Sequence, residues 1–302
     1  MNQSDAAMAL ERLGPRAQPG RLSLEWAEAR DQPGGGGHYA FLRDRALEAV
    51  SAHTDDFGMQ WTELFDDYRH DRYKHIEQFM RLGLTPMQYA GATVLDAGMG
   101  LGRHSETLLG TASLVVGCDL SAAVHTAARY IDNARFIPVQ ASIANLPFTE
   151  SSFDHVFSWG VVHHCPDPMA ALDDLWRVLK PGGTLAVWVY ADTEGYRRRS
   201  YINWHLKDFD RHDMLQVSNT LTNVAHMLQL TSPFTMTTLA SELWFSVRGS
   251  KEYTRHILYD GLGPDYHHLI TPDMFAAWAR RKGVEPLYSK GAPLGVTFTK
   301  PA

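Results

Sequence analysis

Between residues 93 and 190 short apolar runs alternate with amphipathic stretches, and turn residues fall between them. This alternation constrains the fold more than any other feature, because parallel strands joined by helical crossovers must lie in a sheet covered on both faces. The pattern predicts strands at 93–96, 114–119, 136–140, 156–159 and 184–190, with helices near 104–109, 122–133 and 169–179. It resumes at "TPDMFAAWARRKG", where Thr271 can cap, Pro272 suits the first helical position and Gly283 is a stop. The closing "VEPLYSKGAPLGVTFTK" reads as two strands about a short turn. The fold class is therefore α/β: a Rossmann-like, mostly parallel seven-stranded sheet with an antiparallel last strand.

The flanking segments follow other patterns. Residues 1–36, rich in Gly, Pro and charge, show no period that buries one face and are expected to be flexible. Apolar residues three and four apart between 37 and 90 predict a helical N-terminal arm. Residues 91–190 and 271–302 form the expected core, and 191–270, too long for a plain connection, an inserted helical lid after the fifth strand.

Composition narrows the function classes. With 28 basic and 34 acidic residues the net charge is −6, so no general attraction to nucleic acid is expected. No run of about 18 apolar residues suggests a membrane span, and the N-terminus lacks the order of a secretory signal, which makes the cytoplasm the expected compartment. Cys118 and Cys165 are expected to be free thiols.

The stretch "VLDAGMGLG" places Asp96 at the end of a strand and Gly98, Gly100 and Gly102 in the turn to the next helix. Glycine there allows unusual backbone angles and close approach by a ligand. Asp119 closes the second strand, 21 positions after Gly98, where an acid can accept from both ribose hydroxyls of an adenosine. Position 103, where a dinucleotide fingerprint wants its last glycine, is Arg103, which argues against a nicotinamide site.

Four motifs in order, "VLDAGMGLG", "VVGCDLS", "LPFTESSFDHVFSWGVVHH" and "LKPGGTLAVWVY", make residues 93–190 resemble the core of class I S-adenosylmethionine-dependent methyltransferases. "LPF" and "GVVHHCPDP" are similar to the UbiE-like group, which acts on small molecules in biosynthesis. The resemblance implies S-adenosyl-L-methionine as cofactor. It sets its methionine and ribose against the glycine turn, its ribose hydroxyls on Asp119, its adenine on Leu120 and beside Ser142 and Ile143, and its sulfonium beside Ser158 and Trp159. Relatives usually carry Asp at position 142, and a serine hydroxyl is a weaker acceptor for the adenine amino group, for which Asn145 is a candidate substitute.

Methyl transfer from a sulfonium is an in-line displacement, governed by alignment in a closed site. A base is needed only for a protonated acceptor, and His163 and His164, after the fourth strand, are candidates for that base or for orienting groups. Tyr68 and Arg69 in the arm and Trp204 and Tyr259 in the insert are candidate substrate contacts. Of Arg197, Arg198 and Arg199, one at most can face a site, since consecutive helical residues point in different directions. No metal is expected. The aromatic-rich insert suits a small apolar or aromatic acceptor. A protein or RNA acceptor, a non-catalytic binding module and a homo-oligomer stay open as alternatives.

Overall fold

The computed structural model describes residues 11, 13–28, 38–49, 72–206, 208–209, 211–231, 251–262, 266–289 and 294–302. Among these, nine strands form one sheet: β1 (Leu22–Glu28), β2 (His38–Asp44), β3 (Thr93–Ala97), β4 (Leu114–Asp119), β5 (Phe136–Gln140), β6 (Phe153–Trp159), β7 (Leu179–Trp188), β8 (Leu287–Tyr288) and β9 (Gly295–Thr299). Their spatial order is β1-β2-β5-β4-β3-β6-β7-β9-β8. Pairing is parallel from β2 through β7, while β9 runs antiparallel to β7, β8 to β9, and β1 to β2. The seven strands β3 to β9 match the expected sheet, antiparallel finish included.

Among the described residues are eight α-helices: α1 (Arg72–Arg81), α2 (Arg103–Leu108), α3 (Ala123–Tyr130), α4 (Pro168–Val178), α5 (Glu194–Leu206), α6 (Arg211–Thr231), α7 (Lys251–Leu262) and α8 (Pro272–Lys282). Successive strand residues point to opposite faces, so each strand feeds two cores. Leu95, Val116, Ile137, Val156 and Leu185 pack with Leu172 and Leu175 of α4 and Phe275 and Trp278 of α8. Val94, Val115, Phe136 and Phe157 pack with Phe79 of α1, Leu108 of α2 and Ala127 of α3. Helix starts are set locally: Asp167 accepts from Met169 N and Ala170 N ahead of α4, and Thr271 accepts from Met274 N ahead of α8. Chain order reverses about β3, with β4 on one side and β6 on the other, and such a reversal leaves a crevice at the carboxyl edge.

Two expectations for the N-terminal part need correction. Residues 1–36, expected to be flexible, contain β1, and 37–90, expected to be a helical arm, begin with β2; α1 is the helix described there. Ala40, Phe41 and Leu42 are all buried, and a short continuous apolar run does not distinguish a covered strand from a helix. The unpaired edge of β5 decides the matter by pairing Leu42 with Val139 and Arg43 with Gln140. Arg21 fastens this hairpin, donating from Nε to Asp44 Oδ1 at 2.9 Å, pairing through Nη2 with Asp44 Oδ2, and donating to Asn145 O at 3.0 Å.

Within 191–270 the described residues form α5, α6 and α7, with Met214, Tyr259 and Leu262 as a small core of their own. The excursion is pinned at its base: Ala191 bridges Ile270, Asp192 N donates to Ile270 O at 3.1 Å and Ile270 N to Tyr190 O at 3.0 Å.

Arg21→Ala leaves the buried Asp44 carboxylate without its guanidinium and should destabilise the protein by roughly 3 kcal/mol. Urea unfolding measures this, and adding Asp44→Asn should recover much of the loss; an unchanged midpoint for Arg21→Ala would show that the hairpin is not fastened this way.

Candidate active site

The turn after β3 is locked to the end of β4. Gly98 N and Met99 N both donate to Cys118 O, at 2.7 and 3.0 Å, and Gly100 N donates to Asp119 Oδ2 at 2.8 Å. Gly98 has φ +81 and Gly102 φ +78, a conformation that disfavours any side chain, and close packing adds a second requirement. A Cβ on Gly98 would lie 2.2 Å from Val161 Cγ2, and one on Gly102 2.5 Å from Ile131 Cδ1. At Gly102 glycine is thus required by the packing of Ile131, the residue after α3, as well as by the backbone angle. At Gly98 Val161 covers the face that a Cβ would occupy. Gly100 offers its amide to Asp119.

Two acids flank this turn. Asp96 is buried, and burial pushes its carboxyl up to about 7, with Asp119 adding to the rise; the Ser105 hydroxyl, donating to Oδ2 at 2.7 Å, and Arg103 oppose it. Asp119 sits at the carboxyl end of β4 with partial solvent contact. Burial raises its pKa too, against the pull of the Ser121 N–H at 2.9 Å, the Ser121 hydroxyl at 2.7 Å and the Gly100 amide. A carboxylate offers about four acceptor positions, and the Leu120 amide also bears on this one, so room for an incoming hydroxyl comes from rotation of the Ser121 O–H. These features fit a nucleoside cofactor gripped through its ribose.

The remaining residues that sequence reasoning assigned to the cofactor lie along the same edge. Leu120 follows Asp119, and its carbonyl accepts from Gln140 Nε2 at 3.3 Å. Ser142 and Ile143 follow β5; the Ser142 hydroxyl accepts from Ala144 N, and Ile143 is buried in the core. Asn145 is engaged elsewhere, its Oδ1 accepting from Arg21 Nη1 at 3.3 Å. Ser158 is fully buried and donates to Ala97 O at 2.9 Å, which ties β6 to the glycine turn. Trp159 stacks on Trp188 with centroids 4.7 Å apart and planes 10° from parallel.

From Trp188 an aromatic and imidazole cluster continues along the carboxyl ends of β6 and β7. His163 lies 3.9 Å from the Tyr190 ring, His164 4.0 Å from His163, and His267 5.7 Å from His164. The return limb of the insert closes over them, with His268 N donating to His163 O at 3.0 Å. The two adjacent histidines differ in tautomer. Tyr190 N donates to His163 Nδ1 at 3.4 Å, so a neutral ring carries its proton on Nε2. His164 Nδ1 meets the Tyr266 carbonyl at 2.8 Å, and a carbonyl only accepts, so the proton is on Nδ1 and Nε2 keeps its lone pair. His163 is held well below the usual histidine range by burial first, then by His164, His267 and Arg199.

Other sequence candidates fall elsewhere. Trp204 is 60% exposed and packs on His205; five positions from Arg199, it sits about 140° around α5 from the face that turns inward. Tyr259 is buried between α6 and α7 in the small core of the insert. Tyr68 and Arg69 lie outside the described residues. Sequence reasoning passed over Tyr190 and Tyr196, stacked 4.5 Å apart, and Ser121. Their signals were present: a strand-end aromatic at the carboxyl edge, and a serine two residues after the ribose acid. Cys118 and Cys165 are free thiols, and both are buried. Among the described residues no cluster of metal-ligating side chains occurs, and no helix is long and apolar enough to cross a membrane.

Residues 95–187 match the family described as "Methyltransferase domain". A cycloartenol-C-24-methyltransferase 1 of Oryza sativa subsp. japonica is 28% identical over 143 residues, 45% of this chain and 40% of that protein. A tRNA U34 carboxymethyltransferase of Hahella chejuensis is 35% identical over 109 residues, 34% of this chain and 33% of that protein. The chain thus spans 40% or less of the length of these curated relatives. The solved structure of a SAM-dependent methyltransferase from Aquifex aeolicus superposes with a TM-score of 0.43 at 14% identity, over 84% of this chain and 96% of that one. The family match thus covers the segment from β3 to β7, under a third of the chain.

Asp96 is protonated more readily in the folded than in the unfolded chain, so its contribution to stability is complete in acid and lost as pH rises through about 7. Asp96→Asn should therefore gain on the wild type by roughly 2 kcal/mol between pH 5 and pH 8. Parallel denaturation at the two pH values tests this, and a constant difference would refute the raised carboxyl.

Proposed function

We propose that the chain transfers the methyl group of S-adenosylmethionine to a small acceptor with an apolar or aromatic body. The observation that carries the reading is the run of Trp159, Trp188, Tyr190, His163 and His164, which begins beside the glycine turn and lies under the insert. S-adenosylmethionine supplies an electrophilic methyl on a sulfonium. Asp119 would hold its ribose hydroxyls, with Ser121 rotating to make room. Trp159 and Trp188 would exclude water and flank the acceptor, which supports alignment. His164, with Nε2 as acceptor, is the candidate base for a protonated acceptor; His163, with Nε2 as donor, is suited to orienting it. The UbiE-like likeness of "GVVHHCPDP" supports a small metabolite as acceptor. A second reading, an RNA acceptor, draws on the relative named for tRNA, against the net charge of −6.

Calorimetry should show saturable binding of S-adenosylhomocysteine and none of NADH; the reverse would sink the proposal. Asp119→Ala should weaken S-adenosylhomocysteine by roughly tenfold to a hundredfold through loss of charge-assisted hydrogen bonds, and Asp119→Asn, which still accepts from Gly100, by less. Incubation with labelled cofactor and host extract then separates the acceptors, since a label removed by ribonuclease would move the assignment to RNA. With the acceptor in hand, His164→Gln should lower kcat by about a hundredfold or more without changing cofactor affinity, unless the acceptor carries no proton to remove.

A further inference from the structure

The hairpin of β1 and β2 extends the sheet past β5 and completes a lateral row of polar side chains at its carboxyl edge. Arg43 of β2 pairs with Gln140 of β5, and Gln140 pairs with Asp119 of β4. Phe41, Phe136 and Val115, each an even number of residues earlier on the same strand, pack in the core with Ala127 of α3, so Arg43, Gln140 and Asp119 leave the sheet on that face. Neighbouring strands stand about 5 Å apart, which sets Gln140 one spacing and Arg43 two spacings outward from Asp119.

Gln140 is nine-tenths buried. Its Nε2 donates to Leu120 O at 3.3 Å, and because a carbonyl only accepts, the amide oxygen is the atom turned away. That Oε1 is buried without a hydrogen-bond partner among the described residues, and so is the Nε–H of Arg43, whose Nη1 stands 3.8 Å from Glu25. His125 of α3 lies over the row, its ring centroid 4.3 Å from that of Phe41. Burial holds the His125 pKa down and the nearby Gln140 pulls it up, yet His125 Nε2 makes no hydrogen bond of proper geometry. A buried acceptor and a buried donor left unmade in neighbouring register positions are destabilising, and a ligand carrying the complementary pair removes both penalties.

The polar groups that sequence reasoning offered to the adenine amino group are engaged. Ser142 Oγ accepts from Ala144 N at 3.3 Å, and Asn145 Oδ1 accepts from Arg21 Nη1 at 3.3 Å. We propose that Gln140 Oε1 and the Arg43 Nε–H read the edge of the cofactor's adenine, the amide oxygen accepting from the exocyclic amino group and the guanidinium donating to the neighbouring ring nitrogen N1. The inference rests on the methyltransferase reading of this edge and makes the added hairpin part of the nucleoside site. Adenine offers a donor beside an acceptor, the complement of this pair; a deaminated base sets a carbonyl oxygen against Oε1 and a ring N–H against the Arg43 Nε–H.

Titration calorimetry of the full chain with S-adenosylhomocysteine and with its deaminated analogue S-inosylhomocysteine tests this. The wild type should bind the adenosyl compound at least tenfold more tightly. Gln140→Met should bring the ratio within threefold by weakening the adenosyl compound, whereas Gln140→Glu, which keeps an oxygen at that place, should hold the ratio at tenfold or more. Arg43→Met should reduce the ratio at least threefold. A residue that only supports the fold would weaken both compounds alike, so an unmoved ratio in Gln140→Met or Arg43→Met overturns the proposal. Equal or tighter binding of the inosyl compound by the wild type overturns it without any variant. Should Gln140→Met not fold, Arg43→Met, at a side chain 34% exposed, decides by itself. If the wild type binds neither compound, the methyltransferase reading falls and takes this inference with it; binding of S-adenosylhomocysteine with an unmoved ratio removes the inference alone.

Discussion

The hydrogen bond from the Gly100 amide to Asp119 joins the turn after β3 to the end of β4. With the Gly98 and Met99 amides also on the Cys118 carbonyl, three consecutive donors of the turn are fixed to the neighbouring strand. Everything else at the carboxyl edge is placed relative to this seam. Ser158 reaches back to Ala97, Val161 lies over Gly98, and Trp159 takes its position against Trp188 because β6 is tied there. The same seam keeps two acids close to the turn. Burial raises both carboxyls, Asp96 to about 7, and the donors gathered on Asp119 from Gly100, Leu120 and Ser121 oppose the rise there.

Much of the central fold was legible because its signals are local and repeated. Each strand between β3 and β7 announced itself by an apolar run and each helix by its period, and Thr271, Pro272 and Gly283 bounded α8 as their chemistry dictates. β2 was not legible, because a short apolar run carries no period of its own and its strand identity comes from the free edge of β5, far away in sequence. The site divides in the same manner. Asp96 and Asp119 could be found by spacing from the glycines, whereas the inward turn of Arg199 depends on where α5 docks, and Tyr259 could not be told from a substrate contact until α6 and α7 were seen to enclose it. The glycines themselves were identified correctly as a special turn, yet one of their reasons is packing against Ile131 instead of a ligand.

The two histidines show how a single backbone partner sets what an imidazole presents at its other nitrogen. They are adjacent in sequence and 4.0 Å apart, and one backbone partner each sets them to opposite roles: an amide makes His163 a donor at Nε2, a carbonyl makes His164 an acceptor there. Both partners come from elements outside the βαβ repeat proper, the strand end at Tyr190 and the return limb at Tyr266. The chemistry available at this edge is thus tuned by the insert as much as by the core.

The bridge between Ala191 and Ile270 brings the two ends of that insert together at one point on the rim of the sheet. A segment that leaves and re-enters through the same doorway imposes no spacing on β7 or α8, so its length and shape can drift without straining the nucleoside half of the molecule. Under the proposed methyl transfer, such an architecture would separate the seat of the donor from that of the recipient, with helices α5 to α7 the part of this chain in which a change of recipient would be written.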